Sequence, residues 1–356
     1  MKIQDYLMET PVKMNEIIEA SAELFSAVKK QEIKRIIITG SGTSYHSGAQ
    51  VQQKMRELAG VSVEAYYPFL ITKEILANDV AHTLVVGISQ GGSSYSTYNA
   101  MKLAKDIGCR TASMAGVEDA LVDEVADYIL TVKCGEELAG AKTKGFYCTK
   151  LNLLLLALYI GQENGTINQN EFDKVIISLK NTADSFLAVY HSAEKWVTAN
   201  IPDLKKAKEI RIVGPKELYG DVLEGALKLL ETMRIPVTGY EFEEFIHGIY
   251  NAVNEDSTII VLNPEKDSRV NKLINVLSDW TESIYTIGSN VEGIGDKNFV
   301  VTTGDNYFYN SFVYPIAIQL ICAIVPTLRG VDPSIPKDPQ FHKKLNSKRL
   351  VGEISF

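Results

Sequence analysis

The chain has 356 residues, a length too great for one ordinary hydrophobic core, so two domains are expected. Hydrophobic residues make up 46% and charged residues 22%, which is a globular composition and excludes wholesale disorder or a fibrous repeat. The formal net charge of -8 argues against a dedicated nucleic-acid-binding protein, which needs a basic face. A local cationic pocket for an anionic metabolite is compatible with this negative net charge.

The cysteines and the apolar stretches indicate a soluble protein. Four cysteines lie far apart and form neither a disulfide framework nor a metal-ligand spacing, so a reducing compartment is the simpler interpretation. The N-terminal residues lack the apolar segment of a signal peptide. The stretches Leu151–Ile160 and Phe312–Leu328 are predicted to be core helices, because the first is too short for a bilayer and prolines interrupt the second. We expect a cytoplasmic protein with no membrane partner and no nucleic-acid partner.

A first β–α series is predicted over residues 34–165, after a helical lead-in over residues 1–33. Its first strand is a continuous β-branched run that ends in the loop Gly40–Ser44, and a helix follows to about Leu58. Further strands are predicted at Val61–Tyr66, Thr83–Ile88, Thr111–Met114 and Tyr128–Val132, after the first at Arg35–Thr39. Continuous apolar strands separated by helices, such as Ser96–Asp106, indicate a parallel sheet covered on both faces.

The pattern repeats over residues 207–332, after a helical linker over residues 166–206. The predicted strands are Glu209–Val213, Val237–Tyr240, Thr258–Leu262, Ser283–Ile287 and Phe299–Thr302, with a helix at Tyr219–Thr232. Gly214 follows its strand as Gly40 does, which suggests an internal duplication. Residues 333–356 form a C-terminal tail. The fold class is therefore α/β, with two tandem doubly wound, flavodoxin-like parallel-sheet domains and a tail.

Two loops at strand ends are candidates for anion binding, because open α/β sheets bind ligands at the carboxyl ends of their strands. The loops Gly40–Ser44 and Ser89–Ser94 follow the first and third strands. Small residues let the backbone approach an anion, and hydroxyls and helix N-terminal amides can donate to it. Either loop alone is typical of helix capping. Two such loops on neighbouring strands favour a phosphate site, although neither matches a P-loop or a dinucleotide fingerprint.

The second candidate site lies on the helix that begins near Tyr219. Glu224, Lys228 and Glu231 share one helical face at spacing i, i+4, i+7, and spacing alone favours a solvated salt-bridge face. The functional alternative is a carboxylate base whose pKa is tuned by the lysine. His247 follows in an acidic segment, and a lone histidine is more often structural than catalytic. On spacing, Lys348 in the tail is an ordinary surface lysine.

Together these segments resemble the sugar isomerase (SIS) proteins, including the isomerase half of glucosamine-6-phosphate synthase. The resemblance rests on motifs that occur in family order and span nearly the whole chain from about Lys34: Gly42-Thr-Ser-Tyr-x-x-Gly48, Ser89-Gln90, Thr143-Lys-Gly-Phe146, Glu224-Gly-Ala-Leu-Lys-Leu-x-Glu231 and Glu244-x-x-His247-Gly248. The resemblance implies an enzyme that binds a sugar phosphate, needs no metal or organic cofactor, and forms a homodimer or larger homo-oligomer.

The resemblance also implies a role for individual residues. The sugar-phosphate cradle is expected to comprise Gly42, Thr43, Ser44, Ser89, Gln90 and Ser94. Glu231 matches the base that moves a proton between C1 and C2, and Lys228 and Glu224 match its neighbours on the helix. His247 matches the residue that assists ring opening, which the synthase contributes across a homodimer interface. Lys348 aligns with the tail lysine that forms an imine with the ketose, so the tail is expected over the active site.

The absence of a glutamine-hydrolysing segment from the sequence makes amide-nitrogen transfer unexpected. We therefore expect isomerisation coupled to loss of an amine, either deamination of glucosamine 6-phosphate or deglycation of a fructosamine 6-phosphate. The alternative is a non-catalytic sugar-phosphate sensor, since SIS-type sheets also serve in transcription regulators. The acidic composition and the short lead-in argue against an attached DNA-binding domain.

Overall fold

The computed structural model describes residues 2–264, 268–291, 293–301 and 307–349, with only the backbone at Ser268 and residues 307–310. Within these ranges, ten strands form two parallel five-stranded sheets. The strands are β1 (Arg35–Thr39), β2 (Ser62–Tyr66), β3 (Thr83–Ile88), β4 (Arg110–Met114), β5 (Tyr128–Ile129), β6 (Glu209–Gly214), β7 (Val237–Glu241), β8 (Ser257–Asn263), β9 (Ile284–Gly288) and β10 (Asn298–Val300).

The helices alternate with these strands in both halves. They are α1 (Ile3–Leu24), α2 (Thr43–Ala59), α3 (Lys73–Leu76), α4 (Tyr95–Ile107), α5 (Lys144–Glu163), α6 (Gln169–Leu204), α7 (Tyr219–Met233), α8 (Phe242–Ile246), α9 (Ser268–Leu277), α10 (Tyr307–Ile324) and α11 (Phe341–Lys344). Short 3₁₀ turns lie between several of them. The predicted linker is the single 36-residue helix α6.

Both sheets have the same strand order, which confirms the flavodoxin-like prediction. The first sheet runs β2-β1-β3-β4-β5 and the second runs β7-β6-β8-β9-β10. Each central strand is buried along its length, as β-branched runs covered on both faces require. Since β1 pairs with β3, the loops that follow these two strands emerge side by side. The two candidate phosphate loops are therefore neighbours, as predicted.

One predicted strand is shorter in the structure. The stretch Tyr128–Val132 was expected to be extended throughout, and β5 ends at Ile129. Leu130 and Val132 still donate backbone hydrogen bonds to the β4 side of the sheet, so the chain continues along the edge without full ladder pairing. At the other sheet edge, β10 ends at Val300, and the predicted final residue Thr302 lies outside the described residues.

The two apolar stretches form core helices. On α5 every residue from Lys144 to Gly161 is buried, and on α10 the described residues are buried up to Ala323. The stretch Ser311–Arg329 is long and apolar enough to cross a membrane, with mean hydropathy 1.9, but 83% of it is buried inside the protein. Burial of this extent is that of a core helix, as the interrupting prolines predicted.

The chain divides into two compact units, one around each sheet. The first-sheet unit contains Val12–Glu137, Lys144–Lys180 and Lys337–Phe356, and the second-sheet unit contains Met1–Pro11, Leu138–Thr143 and Asn181–Pro336. The described tail residues 337–349 thus belong with the first sheet, and residues 333–336 belong with the second. The domain boundaries predicted at residues 33, 165, 206 and 332 remain predictions.

Candidate active site

The first loop of the first-sheet unit brings the backbone close to the start of α2. A β-carbon on Gly40 would lie 2.9 Å from the Ile88 carbonyl oxygen and 2.7 Å from the Ser44 Cβ. Gly42 has φ 55° and ψ -129°, a conformation that side chains rarely allow. Glycine at these positions lets the chain turn directly into the N-terminus of α2. Ser44 is buried there, and its hydroxyl makes no hydrogen bond within the described ranges.

The second loop ends in a group of hydroxyls at the start of α4. The Ser94 hydroxyl accepts a hydrogen bond from the Thr97 amide at 3.5 Å, so the capping interpretation is also correct for this residue. It lies 3.1 Å from the Ser96 hydroxyl, which is 3.4 Å from that of Ser41 in the first loop. Ser89 accepts from the Ser94 amide at 3.3 Å.

Ser41 and Ser96 were not predicted as site residues. Ser41 stands in the first loop, but Ser96 lies on the helix, where only proximity identifies it. Their hydroxyl contact joins the first loop to the first turn of α4 within the first-sheet unit. With the N-termini of α2 and α4 at the same sheet edge, this arrangement offers hydroxyl and amide donors to an anion.

Gln90 of the second loop turns its side chain inward. Its Nε2 donates to the Cys134 Sγ at 2.9 Å, and its Oε1 accepts from the Thr149 hydroxyl at 3.2 Å. Gly116 and Gly145 make room for it, since a β-carbon on Gly145 would lie 2.7 Å from the Gln90 Cδ. The amide therefore anchors the loop to the interior, and phosphate contact by Gln90 remains a prediction.

The C-terminal tail runs beside the second loop. Lys348 forms an antiparallel bridge with Ser94, and the Arg349 amide donates to the Ser93 carbonyl at 2.9 Å. The Arg349 guanidinium also pairs with Glu124. Burial and the charge of Lys348 lower the pKa of His342. The structure thus places Lys348 at the candidate phosphate loops.

The second-sheet unit carries a buried lysine between two carboxylates on α7. The Lys228 Nζ lies 2.6 Å from the Glu231 Oε2 and 3.8 Å from the Glu224 Oε1. The side chain of Lys228 is 4% exposed and that of Glu224 0%, whereas Glu231 is 36% exposed. The solvated-face interpretation is therefore wrong for Glu224 and Lys228. Burial alone would lower the pKa of Lys228, but the two carboxylates outweigh it and raise that pKa.

The packing of α7 explains the small residues of its motif. A β-carbon on Gly225 would lie 2.9 Å from the Ile318 side chain of α10 and 3.0 Å from that of Ile212. This close approach also brings Cys322 of α10 near the three charged residues. Burial raises the pKa of the Cys322 thiol to about 12, and Lys228 opposes this shift. Cys322 was not predicted to lie at the site, because the residues directly beside it in the sequence are apolar.

His247 ends the short helix α8 and is exposed. Its Nδ1 lies 2.6 Å from the Glu243 carbonyl oxygen. Because a carbonyl can only accept, Nδ1 carries the proton of the neutral ring and Nε2 bears the lone pair. The Arg269 Nη1 lies 2.6 Å from the Glu243 Oε1, and this hydrogen bond lowers the pKa of Glu243. The histidine therefore presents Nε2 as a base when neutral.

The segment that carries His247 lies near the start of α7. Burial, with the charges of Glu244 and Glu241, raises the pKa of Tyr219, the first residue of that helix. In the described part of this unit, Glu231 and His247 share no hydrogen bond with each other. The structure therefore brings together the three α7 residues as one charged group and places His247 on a separate, adjacent segment.

Comparison with known proteins identifies the family. The SIS domain matches residues 31–159, which include both candidate phosphate loops. The crystal structure of a candidate phosphosugar isomerase from Clostridium difficile 630 is 58% identical, covers 98% of this chain and 99% of that chain, and has a TM-score of 0.95. The chain belongs to the SIS domain family. A candidate sugar-binding protein from Salmonella typhimurium LT2 is 41% identical, covers 90% of this chain and 99% of that chain, and has a TM-score of 0.83.

A more distant SIS relative is a larger enzyme. The glutamine–fructose-6-phosphate aminotransferase (isomerizing) of Clostridium acetobutylicum is 25% identical over 92% of this chain. The match covers 54% of that enzyme, so the chain spans about half the length of the curated relatives it matches.

Proposed function

We propose that this SIS protein is an enzyme that moves a proton between C1 and C2 of an amine-substituted hexose 6-phosphate and thereby releases the amine. The observation that carries the proposal is the buried Lys228 paired with the partly exposed Glu231 at 2.6 Å. A buried ammonium in a structural role gains little over an apolar side chain, because desolvation offsets its ion pairs. Beside a carboxylate that stays accessible, it holds that carboxylate in place to act as a base.

The roles follow from the chemistry of each group. Glu231 accepts the proton from one carbon and returns it to the other, through an enolamine. Glu224, which is fully buried one helical turn before Lys228, makes a second ion pair with it at 3.8 Å and helps to hold the ammonium in place. The neutral His247 ring accepts the proton of the anomeric hydroxyl at Nε2 during ring opening. The Glu243 carbonyl keeps the ring in that tautomer.

The first-sheet unit supplies the phosphate site of this proposal. Ser44 and Ser89 donate hydroxyl hydrogen bonds, while Gly42, Thr43 and Ser94 supply the helix N-termini and loop backbone. Gln90 acts by holding its loop. Lys348, next to Ser94, is within the same group and is suited to pair with the substrate anion or to form an imine with an open-chain ketose. Hydrogen bonds to a charged phosphate oxygen are stronger than neutral ones.

Two substrates fit the same steps. From glucosamine 6-phosphate, proton transfer from C2 to C1 gives the imine at C2, and water releases ammonia and fructose 6-phosphate. From a fructosamine 6-phosphate, transfer from C1 to C2 gives the imine at C1, and water releases an amine and glucose 6-phosphate. A screen of phosphosugars with and without amine substituents, with free ammonia, free amino acid and both hexose phosphates measured, separates deaminase, deglycase and pure isomerase.

A second candidate is a sugar-phosphate-binding protein without catalysis. It is favoured by the Salmonella typhimurium LT2 relative, which is described as a sugar-binding protein. Binding of the phosphosugars without ammonia, amine or isomer production, and without solvent hydrogen exchange at C1 or C2, would establish this candidate instead.

We also propose that the protein is a homodimer or larger homo-oligomer that acts in the cytoplasm. The outward face of α7 supports the proposed assembly. On a solvated helix this face should be polar. Instead it carries Tyr219 and Leu230, 38% and 46% exposed, with the partly buried Leu223 and Leu227 between them. Glu231 borders this apolar face. Covering it with a second subunit would remove these side chains from water.

A further inference from the structure

We propose that His342 is a positioning residue for Lys348, because its hydrogen bond to Ser347 fixes the register in which the tail pairs with the second candidate phosphate loop. The effect on ligand binding rests on the proposed phosphate site, where Lys348 acts as a cation beside the bound anion. The register of the tail is independent of that site. His342 was not predicted as a site residue, and the proposed mechanism gives it no role.

The tail forms a closed turn before it reaches the loop. Helix α11 ends at Lys344, and Asn346 follows with φ 47°, the left-handed conformation that reverses the chain. The Ser347 amide then donates to the His342 carbonyl at 3.2 Å, and the Ser347 Oγ lies 2.8 Å from the His342 Nδ1. A hydroxyl can donate or accept, so this side-chain bond forms with either neutral tautomer of the ring. Two hydrogen bonds thus join Ser347 to α11.

Directly after this turn the tail pairs with the second loop. The Ser347 carbonyl accepts from the first amide of α4 at 3.4 Å, and the Arg349 amide donates to the Ser93 carbonyl at 2.9 Å. Lys348 lies between these two bonds, opposite Ser94 in an antiparallel bridge. Residues directly opposite each other in an antiparallel pair project their side chains to the same face. The Lys348 side chain therefore leaves the tail on the face that carries the Ser94 hydroxyl.

The register of this pairing decides whether the Lys348 ammonium lies at the phosphate loops. Successive residues of a paired segment alternate between its two faces, so Ser347 points its side chain to α11 while Lys348 points to the loop. A slip of one residue would exchange these faces and carry the ammonium away from Ser94. An isolated bridge is too short to fix its own register, so a contact outside the bridge must do so.

The His342–Ser347 bond is the contact best placed to fix the register. It holds the residue directly before Lys348 to a short, closed turn, so a slip would break it. On the other flank, Arg349 pairs with Glu124, whose side chain is 51% exposed. An ion pair between two long side chains at the surface is screened and tolerates a shift of the backbone, so it restrains the register less.

The test measures calorimetric binding of fructose 6-phosphate to the intact protein and hydrogen exchange of the Arg349 amide. His342→Ala should raise the dissociation constant by about fivefold, the usual effect of one lost hydrogen bond, and should speed the exchange by a similar factor. Ser347→Ala should do the same, and the double variant should be no weaker than either single variant, because both remove one bond. His342→Asn should match the wild type, since the asparagine amide takes the place of the imidazole Nδ1.

A second cycle asks whether His342 acts through Lys348. In the Lys348→Met background, His342→Ala should leave the affinity for fructose 6-phosphate unchanged, because the ammonium that the register positions is gone. A merely structural role of His342 would weaken binding equally in both backgrounds.

Controls separate this inference from the proposed function. Lys344→Gln removes an exposed ion pair with Asp338 at 2.6 Å from the same short helix, so it should bind and exchange like the wild type. Unchanged exchange in His342→Ala, no rescue by His342→Asn, or an equal loss of affinity in the Lys348→Met background would each overturn the inference. If the wild type fails to bind fructose 6-phosphate, the proposed phosphate site is wrong, while the exchange of the Arg349 amide still decides whether His342 sets the register of the tail.

Discussion

The sharpest test of the proposed chemistry is Glu231→Gln. The substitution keeps the size of the side chain and leaves an oxygen that can accept from the Lys228 Nζ, which lies 2.6 Å from the Glu231 Oε2. It removes the negative charge and therefore the basicity. If Glu231 is the general base, turnover should fall by roughly 10²–10⁴-fold, equivalent to about 2.7–5.4 kcal/mol of transition-state stabilisation.

The cost in stability should be much smaller. Lys228 keeps Glu224 at 3.8 Å, and Glu231 is 36% exposed, so solvent screens its ion pair. We expect a loss of about 1 kcal/mol in the free energy of unfolding, below the usual value for a buried charged hydrogen bond. This loss would lower the melting temperature by about 2 °C, which leaves the protein folded in the assay.

The assay measures amine release and solvent deuterium incorporation at C1 or C2 in the same samples. Glu57→Gln is the matched control, because Glu57 forms an i, i+3 pair with Lys54 at 2.7 Å on α2, with both side chains more exposed. It should keep wild-type turnover and exchange. Near-normal turnover and exchange in Glu231→Gln would refute the proposal that Glu231 is the general base. The protein would then be better described as a sugar-phosphate-binding protein without catalysis.

Four further outcomes are expected. Ser44→Ala should weaken phosphosugar binding by roughly 10–150-fold, the loss of a hydrogen bond to a charged oxygen, and leave the unphosphorylated sugar unaffected in calorimetry; equal weakening of both would exclude phosphate contact. His247→Asn should slow turnover of a ring-closed substrate more than that of an open-chain analogue, and equal slowing would remove its ring-opening role. Leu230→Asp should convert a dimer to monomers in sedimentation; a fully active wild-type monomer at micromolar concentration would contradict the assembly proposal. The raised pKa of Lys228 means that its ammonium stabilises the fold at pH below its ordinary 10.5 and that this stabilisation is lost as pH rises through the raised value. Urea unfolding at about pH 9 and about pH 11 should show this loss in the wild type but not in Lys228→Met, and identical pH dependence of the two would rule it out.

The local pattern of the sequence was enough to predict the strands, most of the long helices and the fold class. Strand β1 was predicted at its observed bounds, Arg35–Thr39, because a β-branched run between polar residues leaves few alternatives. The spacing of Glu224, Lys228 and Glu231 likewise placed them on one helical face, since the period of a helix depends on the backbone alone. These features need no information about distant residues.

Burial and contacts between distant segments were decided only by the tertiary structure. Spacing favoured a solvated face for α7, and the packing of α10 against that helix, at Gly225, helps to exclude water from Lys228 instead. No local signal placed Lys348 beside Ser94, or Cys134 beside Gln90. Such contacts arise when apolar faces of separate elements pack together, and they depend on side chains far apart in the sequence. Periodicity predicts which residues share a face. Only the packing of the assembled core determines whether that face contacts solvent or another element.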